Sequence, residues 1–150
     1  MSAFVTAGAG FLLAVLWLDL MFDVQVLAHR HQQHLPEEVL ASIARYYARA
    51  TTAARPMNRL IALVMICTLA AIVVEIAAGQ QESWVPWASL LLALGPIALA
   101  GARVVPDAVR LGTRRDPVEW QSAAARSIFR DHVLCLCGIA ALLVVQLAFA

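Results

Sequence analysis

Asp19 and Asp23 stand four residues apart in an otherwise apolar stretch, so on a helix they are one turn apart on the same side. A carboxylate in such surroundings costs free energy unless it is paired or does chemistry. His29, Arg30, His31 and His34 follow directly. Farther along, Asn58, Arg59, Arg103, Arg126, Arg130, Asp131 and His132 mark the edges of other apolar stretches. Carboxylates, guanidiniums and an imidazole are the ingredients of an acid–base site. Arginines would hold the acids, and His132 would give or take the proton. The candidate catalytic residues are therefore Asp19, Asp23, Arg59, Arg130 and His132. Asn58, Arg103 and Arg126 are candidate ligand-binding residues. His29, His31 and His34 form His-x-His-x-x-His and are candidate metal ligands, because clustered imidazoles suit zinc and related ions. The alternative for these three is a solvated interfacial cluster, since on a helix His29 leaves the face that His31 and His34 share.

The elements that must carry these residues are apolar and long. The chain has 150 residues, 62% hydrophobic and only 14% charged, with mean hydropathy +0.77. That length fits one domain, and that composition is not that of a soluble one. A net charge of +1 gives no basic face for nucleic acid. Four stretches, about 3–26, 59–78, 84–103 and 130–149, reach the ~20 helical residues needed to cross a bilayer. Only helices satisfy the backbone of such segments in lipid, and no strand-like alternation suggests a barrel. The expected fold is therefore all-α: a four-helix transmembrane bundle. Residues 36–50 add an amphipathic helix, with Val39, Leu40, Ile43, Tyr46, Tyr47 and Ala50 on its apolar face, expected to lie on the cytoplasmic membrane surface.

All eleven basic residues are arginine, and all fall in or beside the first and third connections. The positive-inside rule puts those connections in the cytoplasm and both ends of the chain outside, as a multi-pass cell-membrane protein. In the first span Ala3, Ala7, Gly10 and Ala14 form a small-residue stripe suited to close helix approach. Gly95-Pro96 should bend the third span, and Pro106-Asp107 should break the chain after it. Asp116-Pro117-Val118-Glu119 opens the fourth helix well before the membrane, with Asp116 as its cap. Cys67, Cys135 and Cys137 make no disulfide framework. Glu75 reads as an interfacial acid near the outer end of the second span. No cofactor motif is visible: there is no glycine-rich phosphate loop, and the histidine cluster is the candidate for a metal.

Depth then unites the polar residues. Twenty residues per span bring Asp19 and Asp23, Asn58 and Arg59, Arg103, and Arg126 to His132 into one layer at the cytoplasmic end. Two readings of this layer are open. The groups line a pocket facing the bundle interior, or the acids pair with arginines and lock the helices together.

The layout resembles the anthrone oxygenase-like family of small four-span membrane proteins. The likeness rests on Arg55-Pro56-Met57-Asn58 leading into the second span, and on Trp120 through Arg130-Asp131-His132-Val133-Leu134 at the head of the fourth helix. The family's Trp-Asn ahead of the fourth-helix arginine is replaced here by Ser127-Ile128-Phe129. The resemblance implies a cofactor-free oxygenase, an oxidoreductase acting on a polycyclic phenolic substrate, with Asn58, Arg130 and His132 as the matching positions. The expected function is thus a membrane enzyme acting on a hydrophobic small molecule. Its partners are the lipid bilayer and that molecule. The alternative is a non-enzymatic small transporter, or an accessory subunit forming homo-oligomers. The enzyme reading expects a closed pocket between helices holding a ligand or lipid, the transporter a polar path reaching Glu75 and the outer face, and the accessory subunit directly paired acids with no cavity.

Overall fold

The computed structural model describes residues 2–53, 55–79 and 84–150. Among them the regular elements are all helical, with no strand. Helix α1 (Ser2–Asp23) runs on as a 3₁₀ segment to His29. Helix α2 (Glu37–Tyr47) passes into a π turn, Ala48–Ala53. Helix α3 covers Arg55–Ala78, and α4 covers Trp84–Leu99. A second π turn, Ala100–Val104, leads into α5 (Val105–Thr113), and α6 spans Val118–Phe149. With their continuations, Ser2–His29, Pro56–Ala78, Trp84–Thr113 and Val118–Phe149 are each long and apolar enough to cross a membrane.

The four long helices form a square in which α1 packs on α3 and α6, and α4 packs on the same two. Helices α4 and α6 run antiparallel: Ser89 meets Gln146, and the Pro96 carbonyl meets the Cys135 thiol. A packed apolar layer fills the half toward the chain ends, with Val5, Ala9, Leu12, Ala71, Ile72, Ala93, Ile139 and Leu142. One close seam is between α4 and α6. A Cβ at Gly138 would stand 2.6 Å from Pro96 Cγ, so only glycine lets these helices approach as they do.

At the arginine-bearing end α2 closes the square. Its first turn carries Glu37 and Glu38, which suit a helix N-terminus. Its face of Val39, Leu40, Ile43, Ala44 and Tyr47 is buried against Val104, Ala108 and Leu111 of the third span and Ala125 and Ile128 of α6. That corrects the expected membrane-surface helix, because protein rather than lipid covers the apolar face. Burying Leu40 and Ile43 alone contributes roughly 1.5–3 kcal/mol each.

The surface for α2 exists because the third helix does not end near residue 103, as the sequence led us to expect. It continues to Thr113 and stops at Arg114, which adopts a left-handed φ of 56°. Pro106 does not break it. The carbonyl that proline leaves without a donor, four residues back, is that of Ala102. Ala102 lies in the π turn, where the bonding ladder has already shifted.

Two smaller expectations also change. Ala3, Ala7 and Ala14 are exposed, and the close contact in α1 is instead at Gly8 against Thr68. Asp116 does not cap α6 with its side chain. It accepts both Nε and Nη2 of Arg110, at 2.9 and 2.6 Å, and Pro117 occupies the cap position.

Candidate functional site

The polar centre is built from α1, α2 and α6. Asp23, on the last turn of α1, is fully buried. Its Oδ1 accepts the Tyr47 hydroxyl at 2.6 Å, and its Oδ2 lies 2.6 Å from Nδ1 of His132. A carboxylate only accepts, so Nδ1 carries the proton of the neutral ring and Nε2 is left as an acceptor. Asp19, one turn earlier, accepts the Tyr46 hydroxyl on Oδ1 at 2.6 Å. Its Oδ2 stands 3.8 Å from His132 Nε2, close enough to favour a proton there but too far for a hydrogen bond. Tyr46 is fixed by stacking on Phe22, with ring centroids 4.1 Å apart. Burial is the first cause raising the pKa of both tyrosines, and the Asp19 and Asp23 carboxylates push the same way. Both therefore stay neutral donors.

Asp19, Tyr46, Tyr47 and His132 form one wall of a cavity of about 500 Å³ between the helices. Asn58 and Thr51 complete its polar end. The rest of the lining is apolar apart from the Cys135 thiol, and includes Leu12, Ile61, Met65, Ile97 and Ile139. A volume of this size suits a drug-sized molecule.

The expected residues divide sharply. Asp19, Asp23 and His132 meet, and Asn58 lines the same cavity. The arginines do not join them. Arg59 is exposed and has no hydrogen bond or ion pair among the described residues, because Asn58 takes the inward position of that turn. Arg103 and Arg130 turn to buried Asp131, at 3.7 and 3.3 Å, and to Ser127 at 3.1 and 3.4 Å. Arg126 donates to the carbonyls of His29, Gln32 and Gln33, at 3.4, 2.7 and 3.3 Å. It thereby holds the chain where α1 and its continuation end. The idea that arginines hold Asp19 and Asp23 is thus corrected: tyrosines and the imidazole do. Long guanidinium side chains reach toward the surface, where hydration is retained.

The histidine triplet does not converge either. His31 Nε2 accepts from Arg30 at 3.0 Å, while Nδ1 of His29 and of His34 are each buried without a partner among the described residues. Among the described residues no three His, Cys, Asp or Glu side chains gather as metal ligands do.

On the sequence, Tyr46 and Tyr47 read only as residues of an apolar helix face. Two signals pointed further: a buried tyrosine needs a partner for its hydroxyl, and two buried acids need donors. Glu75 is also buried, beside Gln146. The Ile139 and Leu142 layer lies between it and the cavity. No protein-family model, curated protein or solved structure matches this chain.

Proposed function

We propose that this chain is a multi-pass integral membrane protein that binds a hydrophobic small molecule in the cavity at its cytoplasmic end and moves a proton to or from it. The arginine-bearing connections lie in the cytoplasm and both chain ends outside, as the arginine distribution supports. One observation carries the enzymatic reading. His132 is fixed through Nδ1 by buried Asp23, with Nε2 beside the cavity and Asp19 opposite. This is the arrangement of an oriented general base. Nε2 takes a proton from a ligand O–H or activated C–H, that bond breaks, and the resulting imidazolium sits between two carboxylates. Asp23 is a positioning residue, and Asp19 stabilises the charge that forms. The oxygenase resemblance supplies the most specific form. The anion left behind reduces molecular oxygen, converting a ring CH₂ to C=O with release of one water.

The other readings lack such support. The packed apolar layer stands between the cavity and Glu75, so no continuous polar path favours a transporter. Asp19 faces a cavity rather than an arginine, which supports a pocket over helix locking alone.

The test is turnover of anthrones and related phenols by the protein in lipid discs, read as oxygen uptake and product. His132→Gln should lower the rate about 10²–10⁴-fold, the usual effect of removing a positioned base. Equal rates in the wild type and this variant would remove His132 from the chemistry.

A further inference from the structure

The cavity is one-sided in two respects, and together they name a ligand. First, the donors at its polar end are used within the protein, save one N–H of the Asn58 amide. Tyr46 donates to Asp19, and Tyr47 to Asp23. Thr51 donates to the Tyr47 carbonyl at 2.7 Å, and the Asn58 amide to the Thr51 carbonyl at 2.5 Å. His132 Nδ1 is held by Asp23. What remains is the second N–H of the Asn58 amide and three acceptors: Asp19 Oδ2, Nε2 of the neutral His132 ring and the Asn58 amide oxygen. A ligand seated there must bring a donor.

Second, the lining residues that are also exposed are Ala14, Leu18, Met57, Ala62, Val105 and Val109. All are apolar, and they lie on α1 and α5, the two sides of α3, and on α3 itself. The polar lining residues are buried or half-buried. The openings are therefore hydrocarbon-lined and face the side of the bundle, where lipid would lie.

Resting on the function proposed above, we propose that the ligand is a membrane-dissolved phenol or quinol with a hydrocarbon tail. It enters sideways past α3. Its hydroxyl docks on Asp19, Asn58 and His132, and its tail stays in the opening and the bilayer. A neutral hydroxyl donates its one proton to Asp19 Oδ2 or His132 Nε2 and can accept the second Asn58 N–H, without carrying a charge into an apolar cavity, which an ammonium head would have to do.

The experiment measures binding of para-dodecylphenol to the full chain in discs of phosphatidylcholine and phosphatidylglycerol, referred to its concentration in the membrane. Its methyl ether, which lacks the donor, should bind at least about tenfold more weakly, as should tail-less phenol. Leu18→Trp and Val109→Trp, which narrow the openings, should slow association. Leu91→Trp, exposed away from the cavity, should leave it unchanged. Equal binding of phenol, of the ether, or of both openings' variants would overturn the proposal, as would stronger binding of dodecylamine. The function proposed above fails separately, if His132→Gln leaves oxygen uptake intact while the tailed phenol still binds.

Discussion

Replacing Asp23 with asparagine should reverse the tautomer of His132. Asp23 accepts two hydrogen bonds, from Tyr47 on one oxygen and His132 on the other. Asparagine has one oxygen and one NH₂, so it accepts on one side and donates on the other. If its oxygen keeps Tyr47, its NH₂ meets His132 Nδ1, which becomes an acceptor, and the ring proton moves to Nε2. Tyr47 then keeps its acceptor, and Nε2–H faces the cavity and the Asp19 carboxylate 3.8 Å away. If its oxygen keeps His132 instead, the Tyr47 hydroxyl receives the NH₂, and its own proton is buried without an acceptor. That unmade bond costs about 1–3 kcal/mol, which favours the reversed tautomer about 5- to 150-fold. Histidine-selective ¹⁵N NMR at a pH where the rings are neutral reads the answer directly. The chain has four histidines, and His132→Gln assigns the signal. The wild type should show a protonated Nδ1 and bare Nε2, and Asp23→Asn the reverse. The same tautomer in both proteins would refute the reasoning, and with it the role of Asp23.

The remaining predictions concern the parts that build the site. The chain's two tyrosines are Tyr46 and Tyr47, both raised first by burial and then by the neighbouring carboxylates. Tyrosinate absorbance should therefore stay absent well past pH ~10 in the folded protein. The sign follows from linkage: a raised folded pKa gives stability that is full below pH ~10 and falls as pH rises further, because the unfolded tyrosines ionise first. A tyrosinate signal near pH 10 with the helices intact would contradict the buried pairs. Gly138→Ala forces a Cβ against Pro96 and should cost about 1–3 kcal/mol in thermal unfolding. Gly10→Ala meets nothing within 4 Å and should be neutral or stabilising by roughly 0.5–1 kcal/mol. Arg115→Cys should react with a membrane-impermeant maleimide in inside-out vesicles and not in right-side-out ones, and the opposite pattern would invert the proposed topology.

Much of the fold was legible because apolar length is a strong signal. The four long helices, the amphipathic helix after the first, and the early start of α6 all follow from where polar residues interrupt apolar runs. The end of the third helix was not legible. Proline and aspartate at 106 and 107 resemble a stop, and only the π turn before them makes the proline tolerable. The site was half legible. Asp19, Asp23, Asn58 and His132 share a depth, and depth can be counted. Their partners depend on where α2 docks, and its apolar pattern fits lipid as well as protein. Arginine was the obvious partner for a buried acid, yet the hydroxyls of Tyr46 and Tyr47 take that place. Those bonds leave the cavity rich in acceptors, with one Asn58 N–H as its free donor.

The most direct test of this account is a titration of histidine-labelled protein with para-dodecylphenol, following the Nε2 resonance of His132. The account predicts that Nε2 moves with saturation as it accepts the ligand hydroxyl, while Nδ1 stays protonated on Asp23. Saturable binding that leaves Nε2 unmoved would place the ligand elsewhere and contradict the account.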